Sequence, residues 1–178
     1  YQLMPTPVLY QQPGAMSVIT QPQEARASST DVDLLYITDR APETDAESTL
    51  PYGQQRATWI AFGSARVEIG SGVSWAELDS QSRVAERTRD LPLSLGRVTE
   101  LGRFPDEPYG VEFRADGGLY RAAADMEEHV RAERLLRQEL KQRLERSPTK
   151  EITLYVHGFN ETFATSAFTT AELCDFLG

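Results

Sequence analysis

The stretch that decides the fold reads Glu151-Ile-Thr-Leu-Tyr-Val-His-Gly-Phe-Asn160. Its residues 152–156 form a short, nearly continuous apolar run, which is typical of a strand buried on both faces of a parallel sheet. The run leads directly into a loop of four residues, His157, Gly158, Phe159 and Asn160. Residues 162–177 then carry apolar side chains at helical spacing. The stretch therefore predicts a strand, a loop and a helix in the order that an α/β fold requires.

The predicted helix at residues 162–177 has an apolar and a polar face. We expect the apolar face to hold Phe163, Ala167, Thr170 and Leu173. Glu172 and Asp175 are expected toward the opposite face. The single cysteine, Cys174, lies at helical spacing with apolar neighbours. We predict that it is a buried structural thiol without a catalytic role.

The loop that follows the apolar run offers backbone N–H groups for acyl-transfer chemistry. A hydrolase that forms a tetrahedral intermediate must stabilise a developing oxyanion, and backbone N–H groups supply most of that help. Gly158 allows the chain to turn sharply, so that the N–H of Phe159 can face an ester carbonyl while its side chain lines the pocket. We expect His157 to bond neighbouring backbone rather than act as a base. Asn160 is predicted to cap the following helix.

A nucleophile is missing from the sequence. No Gly-x-Ser-x-Gly elbow occurs anywhere in the 178 residues. The serines near glycines, Ser64, Ser71 and Ser74, are predicted to be turn residues. His129 lies between charged residues of a predicted helix and is not expected to be catalytic. The sequence therefore offers an oxyanion loop without the group that would attack the substrate.

Upstream of residue 151 the sequence predicts strands, turns and one long helix. Residues 1–30 mix Pro, Gln, Ser and Thr and are predicted to form an extended arm with partial order at most. Runs of β-branched and aromatic residues predict antiparallel strands at residues 32–38, 58–62 and 66–69. Residues 71–110 contain many breakers and are expected to be irregular with short strands. Residues 119–146 predict a long amphipathic helix with weak i,i+4 ion pairs.

The composition limits the class of protein. A chain of 178 residues with 40% hydrophobic and 25% charged residues predicts one globular core. The net charge of -9 argues against a nucleic-acid partner, because no face gathers the cations that phosphates require. Two histidines and one cysteine are too scattered for a tetrahedral metal site, so neither a metal nor a cofactor is expected. No apolar stretch reaches the roughly 20 residues of a transmembrane helix.

With these elements in place, the chain resembles a bacterial family of α/β-hydrolases in the esterase/lipase superfamily. The resemblance runs from about residue 31 to the C-terminus and is carried by Tyr36-Ile-Thr-Asp-Arg40, Tyr52-Gly53, Arg56, Phe62-Gly63, Val67-Glu-Ile69 and Val156-His-Gly-Phe-Asn160 with its helix. It implies a serine hydrolase whose Ser-Asp-His triad lies beyond residue 178. Of the site residues only the oxyanion loop transfers, with Phe159 as N–H donor and His157, Gly158 and Asn160 as loop-shaping residues.

Further expectations follow from the same resemblance. Thr38, Asp39 and Arg40 match a family motif, for which we predict buried charge pairing that fixes the N-terminal region against the core. Family members are often exported or attached to the envelope, which implies a periplasmic or cell-envelope location, with the cytoplasm as the alternative. A chain that starts at Tyr1 fits a processed mature form or an excised piece.

The sequence thus predicts the N-terminal portion of an α/β-hydrolase. Residues 1–30 form the arm, and residues 31–178 form the N-terminal part of the hydrolase domain, β-rich at first and ending in the strand, oxyanion loop and first helix of the main sheet. Because an unpaired apolar strand edge aggregates, we expect a partner, the C-terminal polypeptide of the same precursor, that completes the sheet and the triad.

Two functions remain open from the sequence. The first is hydrolysis of a small ester substrate by the completed enzyme, this chain alone being inactive. The alternative is a non-enzymatic binding module in which the loop is a remnant.

Overall fold

Five strands and three helices make up the regular structure in the computed structural model, which describes residues 1–4, 30–70, 72–82, 88–147 and 149–177. The elements in chain order are β1 (Asp31–Pro42), β2 (Tyr52–Ile69), α1 (Trp75–Ser82), β3 (Leu93–Arg103), β4 (Val111–Phe113), β5 (Leu119–Arg121), α2 (Ala123–Arg146) and α3 (Phe163–Leu177).

The three long strands form a sheet in the order β1-β2-β3, with β2 in the centre. Its neighbours both run antiparallel to it. At the two ends of the first pair, Glu43 N bonds Pro51 O at 3.2 Å and Ile69 N bonds Thr30 O at 2.9 Å. The pair of β2 and β3 is closed at its two ends by two bonds of 2.8 Å, one from Gly70 N to Pro92 O and one from Phe104 N to Ile60 O. A separate two-stranded sheet, β4-β5, is also antiparallel and pairs Phe113 with Leu119.

The chain divides into two compact units, whereas the composition predicted one core. Unit 1 contains the described residues of Tyr1–Leu34, Ala65–Val98 and Tyr155–Gly178. Its core joins residues from all three segments, namely Leu3, Val67, Ile69, Val73, Leu78, Leu91, Leu93, Ala167 and Ala171. The end of β2 supplies this core by strict alternation, because Val67 and Ile69 are buried while Glu68 is exposed.

Unit 2 contains Leu35–Ser64 and Thr99–Leu154. Its most buried side chains include Tyr52, Ala61, Phe62 and Ala132. The ring of Phe62 lies 5.9 Å from that of Phe104, which in turn lies 5.2 Å from the ring of His129. His129 is therefore a packing residue of α2, as its predicted non-catalytic role requires.

Most of the element predictions are confirmed in type and corrected in extent. The strand predicted at residues 32–38 continues to Pro42, and the two short strands predicted at 58–62 and 66–69 are one strand, β2. The helix predicted at 119–146 begins at Ala123, after β5, and carries the predicted i,i+4 ion pairs, such as Arg143 to Glu139 at 2.8 Å. Within the irregular region the structure places α1 and β3.

The predicted strand at residues 152–156 is not formed. The described residues 149–162 contain neither helix nor strand, and Ile152, Leu154 and Val156 are 60%, 81% and 78% exposed. A strand exists only where its N–H and C=O groups find a neighbour, and no described residue pairs with this segment. The prediction of a buried parallel strand is therefore wrong for the chain as described, while the coarser prediction of a fold with both sheets and helices holds.

Only part of the predicted N-terminal arm falls within the described residues. Residues 1–4 belong to unit 1, and Leu3, which is 4% exposed, packs in its core. Residues 5–29 lie outside the described part of the chain. The predicted boundary between an arm and a hydrolase domain at residue 30 stays a prediction.

Gly63 is the glycine whose lack of a side chain the sheet depends on. A Cβ at this position would lie 2.1 Å from Thr99 O and 2.6 Å from the hydroxyl of Tyr36. Thr99 O belongs to the backbone of β3 and cannot move aside without disturbing the strand, and a shift of the Tyr36 hydroxyl would disturb its contact with Tyr52.

We therefore predict that Gly63→Ala lowers the free energy of unfolding by about 1–3 kcal/mol or more, since the methyl group overpacks the sheet. Gly53→Ala in the same strand is the matched control, because its Cβ would meet only the flexible carboxylate of Glu43, at 3.4 Å. We expect the control to change stability by about 0.5 kcal/mol or less. Urea denaturation of both variants measures the difference, and equal midpoints would contradict the role of Gly63.

Candidate functional site

Residues 157–160 form an exposed loop immediately before α3. All four residues are exposed, and the side chain of Phe159 is in full contact with solvent, at 103% of its reference area. Asn160 adopts a left-handed backbone conformation with φ of 63°. The loop therefore turns at residues 159 and 160, just after residues 152–156, which form neither helix nor strand.

His157 makes the local contact that the sequence predicted. Its Nδ1 lies 2.9 Å from the carbonyl oxygen of Gly158, which can only accept, so Nδ1 carries the proton and donates. The imidazole thus bonds the neighbouring backbone, as expected for a residue that shapes the loop.

Gly158 lies in open space. A Cβ here would meet no atom within 4 Å, and its φ lies outside the left-handed region. The sharp turn that the sequence assigned to Gly158 occurs instead at Asn160, whose short polar side chain tolerates positive φ. What the glycine provides is an unobstructed approach to the neighbouring backbone.

The N–H of Phe159 is the group on which an oxyanion site at this loop would depend. Among the described residues, no hydrogen-bond acceptor faces this N–H. The side chain of Phe159 was predicted to line a substrate pocket, and no described residue supplies the walls of one around it. The loop thus presents an available donor without a surrounding pocket.

The cap of α3 is Thr162 and not Asn160. Thr162 Oγ1 accepts the N–H of Thr165 at 3.1 Å, and Thr165 Oγ1 accepts the N–H of Thr162 at 2.9 Å. This reciprocal pair is a capping box with threonine in the place of the usual glutamate. The prediction of an Asn160 cap is wrong because the helix begins at Phe163, so Asn160 lies two residues before the capping position.

Two residues of α3, Glu172 and Cys174, differ from their predicted burial. Glu172, expected toward solvent, is 1% exposed, because both its oxygens bind the N-terminal residues. Cys174, expected to be buried, is exposed. Crowding by neighbouring protein atoms, followed by the charge of Asp175, raises the pKa of its thiol, so the thiolate is scarce at neutral pH. The predicted absence of a catalytic role for Cys174 is unaffected.

A hydrogen-bond network connects Tyr36 and Tyr52 in unit 2. Their hydroxyl oxygens lie 2.9 Å apart, and the Tyr52 hydroxyl donates to Glu100 Oε2 at 3.0 Å. Arg103 closes the network by donating to both oxygens of Glu100, and its guanidinium lies 3.6 Å from the ring centroid of Trp59. Desolvation by burial is the largest cause of the raised pKa of Tyr52 and of Tyr36, so both phenols stay neutral.

Sequence reasoning identified the two tyrosines only through the family resemblance, and missed Glu100 and Arg103. Both lie on β3, in the region predicted to be irregular. A Glu and an Arg three residues apart were the available signal, yet such pairs are common on surfaces and do not by themselves indicate a network.

The motif Thr38-Asp39-Arg40 makes the predicted polar contacts, but at the surface. Asp39 Oδ2 binds Arg56 Nη1 at 2.5 Å, with side chains 43% and 83% exposed respectively. Arg40 Nη1 donates to Gly53 O at 3.1 Å, and its N–H donates to Thr38 Oγ1 at 3.1 Å. The bonds of Asp39 to Arg56 and of Arg40 to Gly53 tie β1 to β2. The prediction of buried charge pairing is wrong, because water screens the exposed Asp39 pair.

A shallow cavity of about 200 Å³ lies in unit 2, between the end of β3 and α2. Its lining residues are Gly102, Arg103, Glu128, Arg131, Ala132 and Leu135. None of the four loop residues takes part in it. Across the described ranges, no group of three His, Cys, Asp or Glu side chains is placed to hold a metal ion, and none of the described helices is both long and apolar enough to span a bilayer.

The last quarter of the chain is similar to α/β-hydrolases. Residues 132–178 match the model of a family described as alpha/beta hydrolase of unknown function (DUF900). The predicted resemblance is confirmed for this part, which includes most of α2, the loop at 157–160 and α3. No curated protein and no solved structure matches the chain.

The cap assignment generates a first test of the loop. Thr162→Ala is expected to lower the free energy of unfolding by about 1 kcal/mol, because the first turn of α3 loses its side-chain acceptor. Asn160→Gly is expected to leave stability unchanged or slightly raised, because glycine adopts positive φ without cost. Thermal denaturation of the two variants separates the assignments. A larger loss for Asn160→Gly than for Thr162→Ala would restore Asn160 as the cap.

The tyrosine network generates a pH-dependent prediction. Tyr52→Phe should cost about 1–3 kcal/mol at pH 7, because it removes a bond to a charged acceptor. Since the folded-state pKa of Tyr52 lies above the unfolded value of about 10, folding retains a proton there that the unfolded chain releases, so stability falls as pH rises above about 10. The variant lacks this phenol and should lose less stability than the wild type over the same range.

Denaturant midpoints at pH 7, 10 and 11 measure this difference. Tyr120→Phe is the comparison variant, because the bond from its hydroxyl to Asp116 at 2.7 Å also raises the pKa of Tyr120. This phenol lacks the burial that is the largest cause at Tyr52, so its removal should change the pH profile less than Tyr52→Phe does. Parallel pH profiles for wild type and Tyr52→Phe would contradict the assignment.

Proposed function

We propose that this chain is the N-terminal part of a serine hydrolase of the α/β-hydrolase superfamily, acting on carboxylic esters. In this proposal Phe159 contributes an oxyanion N–H, and the Ser-Asp-His triad comes from sequence beyond residue 178. The observation that carries the proposal is the available N–H of Phe159 on an exposed loop within the segment that is similar to α/β-hydrolases. The absence of a Gly-x-Ser-x-Gly elbow from the 178 residues is the reason for seeking the nucleophile elsewhere.

The chemistry of the loop follows from its geometry. When a serine attacks the ester carbonyl, the carbonyl oxygen becomes an oxyanion, and the N–H of Phe159 donates to it. A second N–H would come from the residue after the nucleophile. His157 holds the loop through Gly158 O, and Gly158 leaves room for the substrate to approach. One such donor contributes roughly 3–4 kcal/mol of transition-state stabilisation.

The proposed partner is the C-terminal polypeptide of the same precursor. Residues 152–156 support this proposal, because the apolar side chains at every second position, Ile152, Leu154 and Val156, are 60%, 81% and 78% exposed. A strand paired with this segment would satisfy its backbone and cover these side chains. The same pairing would bring pocket walls to the loop that follows. We further propose a periplasmic or cell-envelope location, with the cytoplasm as the alternative.

The competing proposal is a non-enzymatic binding module with a remnant loop. The observation that favours it is the lack of pocket walls around Phe159 among the described residues. The two proposals differ in whether an activated serine accompanies this chain.

Intact mass spectrometry under denaturing conditions, after treatment of the purified protein with a fluorophosphonate, separates the two proposals. We expect a second polypeptide that carries the adduct, while this chain stays unmodified because it holds no activated serine. Detection of this chain alone, without an adduct and without a second polypeptide, would favour the binding module and contradict the split hydrolase.

In the active two-chain form, Phe159 variants test the oxyanion assignment. Phe159→Pro removes the backbone donor and is expected to lower kcat about 100- to 1000-fold. Phe159→Ala keeps the donor and removes the side chain, so it should change KM for esters more than kcat. Steady-state kinetics with a p-nitrophenyl ester measures both. Equal loss of kcat in the two variants would assign the effect to loop structure instead of the N–H.

A further inference from the structure

The buried carboxylate of Glu172 accepts hydrogen bonds from the N-terminal segment, residues 1–4. The side chain is 1% exposed on α3, and its two oxygens receive different donors. Tyr1 donates its hydroxyl to Oε2 at 2.9 Å, and Met4 donates its backbone N–H to Oε1 at 2.7 Å. A carboxylate this deeply buried is stable only when its oxygens are bonded, so its position requires an occupant that supplies these donors.

The same segment pairs with the chain just before β3. Leu3 N donates to Leu91 O at 2.9 Å, and Leu93 N donates to Tyr1 O at 3.0 Å, which sets Gln2 opposite Pro92 in an antiparallel bridge. Residues 1–4 are therefore added to a strand edge, the geometry by which proteins bind extended peptides.

Only Leu3 of the segment is buried, whereas Tyr1 is 50% exposed and is held through its ring and its hydroxyl. Leu3 is 4% exposed and belongs to the core of unit 1, and the ring of Tyr1 lies 5.3 Å from that of Phe168 on α3. Gln2 and Met4 are exposed. Two side chains are thus recognised and two are free to vary.

We propose that α3 and residues 91–93 form a peptide-recognition groove for an extended segment of the form Tyr-x-Leu-x. Here the groove is filled in cis by residues 1–4, and it accepts the same sequence in trans when the anchors of the cis segment are removed. Glu172 sets the specificity, because its carboxylate accepts hydrogen bonds from both the tyrosine hydroxyl and one backbone N–H of the peptide. This inference goes beyond the proposed hydrolase and does not depend on it.

The cis segment competes with any peptide in trans. It is joined to β1 by residues 5–29, and a tethered ligand acts at an effective concentration in the millimolar range. The wild-type groove is therefore expected to bind added peptide at least tenfold more weakly than a variant without the cis anchors.

The test uses the full chain with Tyr1→Ala and Leu3→Ala together, and the blocked peptide acetyl-Tyr-Gln-Leu-Met-amide carrying a fluorophore. We expect saturable binding by fluorescence anisotropy, with at least tenfold weaker binding to the wild type. The peptide Tyr-Gln-Asp-Met should lose binding, because its aspartate would enter an apolar core, whereas Tyr-Ala-Leu-Met should retain it. Adding Glu172→Leu to the double variant should weaken binding at least tenfold.

Circular dichroism decides how each result is interpreted. If the double variant is unfolded, recovery of its spectrum on adding Tyr-Gln-Leu-Met, and not Tyr-Gln-Asp-Met, counts as binding and supports the groove. Three results would overturn the proposal. The first is a folded double variant that does not bind the peptide at millimolar concentration, and the second is an unfolded double variant whose spectrum does not recover. The third is equal binding of Tyr-Gln-Leu-Met and Tyr-Gln-Asp-Met. Because none of these readouts involves an ester or a serine, failure here is distinct from failure of the proposed hydrolase.

Discussion

Pairing of backbone N–H and C=O groups is the constraint on which this structure depends, and β2 satisfies it most fully. The strand is 18 residues long and pairs with β1 and β3 along its two edges. Side chains of β2 supply buried residues to both units, such as Phe62 to unit 2 and Val67 to unit 1. Residues 152–156 show the opposite case, since this apolar run has no paired neighbour among the described residues and forms no strand, and Ile152, Leu154 and Val156 stay exposed.

Local patterns predicted the elements whose stabilising contacts are near in sequence. The long helix α2 and the capped helix α3 carry their own hydrogen bonds, so periodicity was sufficient to find them. The conformation of residues 152–156 and the burial of Glu172 depend on contacts that periodicity does not encode. Glu172 is buried because its partners lie 171 and 168 positions away, at Tyr1 and Met4. Strand β3 was predicted only as unlocated short strands in an irregular region, because its glycines and charges obscure alternation and pairing with β2 decides its conformation.

The residues that suggested a hydrolase family fall into two groups with different physical roles. Those of β1 and β2 hold the sheet together: Tyr36 and Tyr52 share a partly buried hydrogen-bond network with Glu100, and Gly63 leaves the space that Tyr36 occupies. The residues at 157–160 contribute little to packing, because all four are exposed. A motif residue that does not stabilise the fold in which it lies is a better candidate for chemistry than one that does, which is why the proposed function depends on Phe159.

The discontinuous makeup of unit 1 also has a consequence for the order in which the chain folds during synthesis. Unit 2 draws on residues up to Leu154, so its strands and α2 can assemble while the last segment is still inside the ribosome. Unit 1 needs its first and last segments at the same time, because Leu3 packs in one core with Ala167 and Ala171. Residues 1–4 are therefore synthesised well before α3 but can pack only after it, and until α3 emerges the side chain of Leu3 lacks this part of its core.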